Sequence, residues 1–328
     1  MKILITGGTG FLGRKLLTAL LERGTLPDPG GTEQPIASIT LSDLAAPSTS
    51  LPEDPRVEFV AGDFTAAGAA STLLDGVDVV FHLAAVVSGQ AEADFELGMR
   101  VNLDGTRMLL DACRAAGRTP RFLFTSSVAM FGGDLPAVLD DRTHVTPQNS
   151  YGAQKAMCEL LINDMSRRNM VDGRTLRLPT VVVRPGKPNA AASSFASAVI
   201  REPLQGDEYV CPVRPDTRMW VMSPRRVIAA LVHAATLDGS AFGSFRAVSL
   251  PGLTVSVEQM VDALRAVAGD AVASRVSYQP DPFIEGIIHA WATRFDTPRA
   301  QAMGFKADAD FRAVVEAFIE DELGGFVA

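Results

Sequence analysis

Thr6-Gly7-Gly8-Thr9-Gly10-Phe11-Leu12-Gly13 follows the strand-like run Lys2-Ile3-Leu4-Ile5 and leads straight into an apolar helix. Gly7, Gly10 and Gly13 are spaced three apart. Glycines so placed let the chain turn tightly, bring a pyrophosphate to a helix N-terminus, and pack helix on strand with no Cβ between them. Leu12, Leu16, Leu17, Leu20 and Leu21 recur at helical spacing, and Gly24 closes the helix. A glycine triplet alone is a weak signal, but strand, turn and helix in this order predict a dinucleotide-binding turn.

Outward from that turn, strand-like runs recur at Ile36–Leu41, Val57–Val60, Val77–Phe81, Phe122–Phe124 and Leu178–Val183, with helical segments such as Gly98–Ala116 and Tyr151–Arg168 between them. Alternating units with near-continuous apolar strands predict a parallel sheet covered on both faces, with ligands at the carboxyl ends of its strands. The fold class expected is α/β, a Rossmann-type doubly wound parallel sheet with a smaller C-terminal substrate lobe. Residues 1–183 are read as the NAD-binding domain, to which 221–250 return, and 184–328 as the substrate lobe. The Pro- and Gly-rich stretches Thr25–Pro35 and Ala45–Pro55 read as surface loops, and the prolines between Arg184 and Arg218 mark the lobe's irregular start.

With 328 residues the chain buries a large core, and a net charge of -8 provides no general attraction for nucleic acid or an anionic membrane. Cys113, Cys158 and Cys211 are odd in number and lack metal-ligand spacing, which argues against a disulfide framework or a zinc site. No apolar run reaches membrane-spanning length. These features predict a cytoplasmic protein without metal.

Tyr151 and Lys155 stand four apart near the start of a predicted helix, so both face one side of it. A neighbouring ammonium and a nicotinamide cation would favour the phenolate, which then takes a proton from a substrate hydroxyl. Thr125-Ser126-Ser127 follows the strand Phe122–Phe124 and places a hydroxyl at its carboxyl end. Asp43, just after the second predicted strand, can accept hydrogen bonds from both adenosine ribose hydroxyls and repel a 2′-phosphate, which selects NAD over NADP. The four histidines show no ligand spacing and read as packing or surface groups, and Trp220 and Trp291 as lobe-core anchors.

These motifs, with Gly62-Asp63-Phe64, His82-Leu83-Ala84-Ala85, Asn102, Gly105-Thr106 and Gly132, resemble the extended short-chain dehydrogenase/reductase family over essentially the whole chain. The resemblance implies that Ser127, five residues before Gly132, is the catalytic hydroxyl beside Tyr151 and Lys155. It also implies that Lys155 bonds the nicotinamide ribose, that Asp63 and Phe64 lie at the adenine, and that Ala84 lines the diphosphate and ribose path. The implied cofactor set is completed by Gly7, Thr9, Gly10, Phe11, Leu12, Gly13, Leu83, Ala85, Asn102, Thr125, Pro179 and Val181. Relatives of this kind form homodimers through the helices Gly98–Ala116 and Tyr151–Arg168.

Within that family the chain departs from nucleotide-sugar epimerases and dehydratases. Val128 and Ala129 follow Ser127 in place of an acidic pair, Phe131 replaces a tyrosine, and Pro179–Asn189 replaces the common run after the sixth strand. Together with Ala190–Phe195, that run resembles the branch that oxidises the C2 hydroxyl of four-carbon sugar acids such as D-erythronate. Ser88, Ser127, Tyr151, Thr180, Arg184, Lys187, Asn189, Ser193 and Arg218 are the expected partners of such a small polyhydroxy acid, with Arg offering a bidentate fork and Lys a point charge. Acid partners at the lobe junction would instead make Arg184 and Arg218 structural. A nucleotide-sugar epimerase or dehydratase and a non-catalytic NAD-binding regulator are the alternatives.

Overall fold

The strand Lys2–Thr6 is exposed at Lys2 and buried from Ile3 onward, and Val79–His82 is buried throughout. Strands with no wet face belong inside a parallel sheet covered on both sides. The computed structural model, which describes residues 1–47, 50–186, 193–289 and 291–328, has that architecture. Its seven-stranded sheet runs in the order Val57–Ala61, Ser38–Asp43, Lys2–Thr6, Val79–His82, Arg121–Ser127, Asp172–Leu178 and Ala247–Ser249. Lys2 pairs with Ser38 and Ile3 with Val79, both in parallel register. The chain order therefore reverses at the first strand, and a crevice opens at the carboxyl ends beside it. Gly7 is the first residue beyond that strand.

The chain divides into two units. The first comprises Met1–Met130, Asn149–Arg177 and Ile228–Val248 and carries the large sheet. Leu4, Val80, Phe122 and Phe124 pack there with Leu109, Leu110 and Ile162 of the helices Gly105–Ala115 and Ser150–Arg167. The second comprises Phe131–Gln148, Leu178–Val227 and Ser249–Ala328. Within it the strand Arg218–Met222 lies between Thr180–Val181, in parallel, and Leu253–Ser256, antiparallel. Its own core gathers Val199, Ile200, Leu264, Val314 and Phe318.

Four local expectations are corrected. Thr25–Pro35 is a hairpin, Thr25–Pro27 against Glu33–Pro35, whose turn is held by Asp28 accepting from the Gly30 and Thr32 amides. The helix expected over Gly98–Ala116 is three pieces: a turn at Phe95–Gly98, a π-helical segment Met99–Asp104 and the α-helix Gly105–Ala115. Glycines flank the π segment where neighbours leave no room for a Cβ: one at Gly98 would lie 2.6 Å from Gln154 Nε2, and one at Gly105 2.7 Å from the Phe64 ring. The strand expected at Leu178–Val183 is split at Pro179, which has no N–H for the ladder: Asp172–Leu178 belongs to the large sheet and Thr180–Val181 to the sheet of the second unit. The strand at Phe122–Phe124 continues through Ser127, so Thr125 and Ser126 are strand residues.

Candidate active site

Gly7 adopts φ +69° and turns the backbone out of the first strand, and its amide donates to Ser42 O at 2.9 Å. A Cβ at Gly7 would meet Ala84 N at 2.8 Å, so the turn lies directly against the segment after Val79–His82. At Gly13 a Cβ would meet Gly7 O at 2.4 Å and Gly8 Cα at 2.7 Å. The third glycine thus packs the helix against the turn itself, where the sequence suggested contact with the strand. The helix Phe11–Arg23 starts at Gly10 with no side-chain cap and no acidic residue in its first turn. Uncapped N–H groups at the positive end of a 13-residue helix, beside a backbone cradle that a Cβ would fill, fit the diphosphate of a dinucleotide.

Asp43, the last residue of its strand, accepts from Thr9 Oγ1 at 2.7 Å and from the Leu44 amide at 2.8 Å. The Thr9 amide donates to the same carboxylate at 3.2 Å, so it is fixed beside the turn, its second oxygen accepting only from Leu44 among the described residues. Asp63 accepts from the Thr65 hydroxyl and amide through one oxygen, and the hydroxyl bond holds its carboxyl below the usual range. The Phe64 ring is buried, edge-on to His82. Both amide hydrogens of Asn102 are spent, on Val86 O and on Gln154 Oε1, and its oxygen accepts from Val86 N. Asn102 is a brace between the segment after His82 and the Tyr151 helix.

That helix, Ser150–Arg167, is capped by Asn149, whose side chain accepts from Gly152 N at 2.7 Å and donates to Ala129 O at 3.1 Å. A Cβ at Gly152 would sit 2.3 Å from Ala129 O. Asn149 and Gly152 together seat the helix start on the turn after Ser127, a pairing the sequence reading missed although Asn three before Gly at a helix start is a capping signal. Ser127 Oγ accepts from Ala129 N at 3.1 Å, which leaves its hydrogen to donate. Farther along, Glu159 and Arg177 form a buried ion pair at 2.7 Å that anchors the same helix to the sheet.

Lys155 is buried, and its Nζ donates to Thr125 O at 2.8 Å, 4.4 Å from the Phe124 ring centre and 5.6 Å from that of Tyr151. Burial lowers its pKa to about 8, against the opposing pull of Cys158 and Glu159. Burial likewise pushes the Tyr151 phenol up to about 12. Among the protein's own groups desolvation dominates at Tyr151, so the phenolate expected beside Lys155 rests on the charge of the bound nicotinamide as well as on the ammonium. His82 is buried and held near pKa 3, by burial first and by the Lys155 charge second, so its ring is neutral.

In the second unit, the Arg184 guanidinium contacts Ser193 Oγ at 3.4 Å, and its backbone amide donates to Ser197 Oγ at 3.0 Å. Burial, and then the charge of Arg201, lower its pKa, and no described acid pairs with it. Arg218 is exposed and likewise has no ion pair among the described residues. Pro179 is buried, Thr180 and Val181 are half-buried on their short strand, and Ser88 is half-buried at the first position of the helix Ser88–Ala93. Lys187 and Asn189 lie outside the described residues. The three cysteines are free and buried, the described residues hold no cluster of potential metal ligands, and no described helix is long and apolar enough to cross a membrane.

The reversed sheet and its uncapped glycine turn define a Rossmann-type dinucleotide-binding protein. The family model described as NAD dependent epimerase/dehydratase matches residues 3–235. The chain belongs to that family, and its cofactor is NAD. It is 54% identical over 324 residues to D-erythronate dehydrogenase of Cupriavidus necator, with 98% of each chain covered. It is 43% identical to D-erythronate dehydrogenase of Haemophilus influenzae, covering 98% of this chain and 100% of that one. Among solved structures, the nucleoside-diphosphate-sugar epimerase from Agrobacterium tumefaciens superposes with a TM-score of 0.94 at 45% identity, covering 99% of this chain and 95% of that one.

Proposed function

We propose that the chain is an NAD-dependent sugar-acid dehydrogenase that oxidises the C2 hydroxyl of D-erythronate to 2-dehydro-D-erythronate. Near full-length identity of 54% to a D-erythronate dehydrogenase carries this reading. Arg184 supports it independently: a partly desolvated guanidinium that, among the described residues, touches a serine hydroxyl and pairs with no acid favours a small carboxylate partner.

Tyr151 Oη takes the proton of the C2 hydroxyl. Ser127, its oxygen already accepting from Ala129 N, donates its hydrogen to the same substrate oxygen. Bound oxidised NAD supplies the hydride acceptor for the C2 hydrogen and a positive charge that favours the phenolate. Lys155 spends one N–H on Thr125 O and keeps two for the nicotinamide ribose hydroxyls. Asp43 accepts from the adenosine ribose, and Arg184 and Arg218 contribute to the acid's recognition. The enzyme works as a cytoplasmic homodimer, supported by free cysteines and by the exposed Met157 and Leu160 on the catalytic helix.

Arg184→Ala is expected to raise KM for D-erythronate about 10- to 100-fold, the loss of a charge-assisted contact, with kcat changed little. Arg184→Lys recovers part of that loss, and steady-state kinetics at saturating NAD read it. An unchanged KM would remove Arg184 from the substrate site. The structural neighbour from A. tumefaciens favours an epimerase as the second reading. An epimerase turns over nucleotide sugars with no net NADH.

A further inference from the structure

Four buried residues and the half-buried Ala84 amide form one directed hydrogen-bond chain through His82. The Thr106 hydroxyl donates to Asn102 O at 2.6 Å, and a carbonyl only accepts, so Thr106 has no hydrogen left for the imidazole 2.9 Å away. His82 Nε2 must therefore donate to Thr106 Oγ1, and Nδ1 must accept from the Thr6 hydroxyl at 2.6 Å. Thr6 Oγ1 in turn accepts from Ala84 N at 3.4 Å. Thr6, His82, Asn102 and Thr106 are each at most 1% exposed, so no water substitutes for a lost link.

One end of this chain holds the cofactor cradle. Thr6 immediately precedes Gly7, and Ala84 N is the atom that a Gly7 Cβ would strike. The other end reaches the catalytic helix. Asn102 O also accepts from Cys158 Sγ at 3.2 Å, and the Asn102 amide grips Gln154, the residue before Lys155. A histidine present only for packing would need none of this directionality, although His82 also stacks on Phe124 at 5.7 Å and meets Phe64 edge-on.

We propose that His82 is a positioning residue: as a neutral ring protonated on Nε2, it locks the glycine turn and Ala84 to Asn102, and through Asn102 to the helix carrying Tyr151 and Lys155. NAD affinity then depends on both hydroxyls, although Thr106 belongs to neither the turn nor the catalytic helix.

The test compares His82→Gln, which keeps a donor and an acceptor, with His82→Phe, which keeps the aromatic packing, by calorimetric titration of NAD. The chain predicts about tenfold or more weaker binding for H82F and a smaller loss for H82Q. Thr106→Val should weaken NAD binding to a similar degree, and H82F/T106V no further than H82F alone. NAD affinity in H82F equal to that of the parent, H82Q worse than H82F, or additive losses in the double variant would overturn the proposal. If the substituted proteins do not fold, the imidazole ¹⁵N spectrum of the unsubstituted protein decides. A neutral ring protonated on Nε2 at neutral pH supports the lock, and an Nδ1-protonated or charged ring overturns it.

Discussion

Tyr151→Phe is expected to lower kcat at least about 10³-fold while leaving NAD affinity and folding stability intact. The substitution deletes one oxygen, and no described residue hydrogen-bonds that oxygen, so no buried partner is orphaned. Burial already opposes ionisation of the phenol, holding it near pKa 12 in the protein alone. Removing the hydroxyl therefore takes away the base from a half-buried ring without breaking a described hydrogen bond, and the thermal midpoint should stay level. The ring itself, 5.6 Å from Lys155 Nζ, is retained. Turnover, NAD titration and thermal unfolding together separate this outcome from a folding defect. Persistent turnover would show that another group takes the proton, and a fall in the midpoint would show that the hydroxyl is structural.

Gly13→Ala has the second large effect. Its new methyl would sit 2.4 Å from Gly7 O and 2.7 Å from Gly8 O, with backbone on the facing side and no flexible side chain to yield. Either the helix withdraws from the turn or the turn reshapes, and both destroy the alignment of helix N–H groups with the diphosphate. The expected cost is about 3 kcal/mol of stability, the upper range for overpacking, with NAD binding weakened more than about 100-fold. Gly10→Ala provides the contrast within the same motif. Gly10 has φ -66°, acceptable to alanine, and its Cβ would meet only Gly7 O at 3.2 Å. It should cost about 1 kcal/mol or less. Denaturant midpoints and NAD titrations of the two variants check the ranking, and equal effects would contradict the geometric account.

The features legible in the sequence are those encoded locally. The glycine turn announced itself because strand, turn and helix are contiguous, and Tyr151 with Lys155 because a four-residue spacing is a property of one helix. The strand Asp172–Leu178 was hidden by Asp172, Arg174 and Arg177, charges that discourage a reading as a buried strand. In the fold Arg174 pairs with Asp172 at 2.5 Å, and Arg177 is neutralised by Glu159, 18 positions away in sequence. The π-helical segment Met99–Asp104 is equally invisible, and the neighbours that require glycine at its two ends, the Gln154 amide and the Phe64 ring, come from elsewhere in the chain. The upward push that burial gives the Tyr151 phenol is hidden for the same reason. Spacing shows that an ammonium is near, but only packing shows how dry the phenol is. His82 read as a packing residue because its two hydroxyl partners come from Thr6 and Thr106, remote in the chain.

The most direct measurement is NADH absorbance on mixing the purified protein and NAD with D-erythronate, threonate and longer aldonates, with NADP as a parallel acceptor. The account predicts NADH accumulating with D-erythronate, little or none with NADP in place of NAD, and none with Tyr151→Phe. No NADH with any aldonate, together with interconversion of a nucleotide sugar, would contradict it.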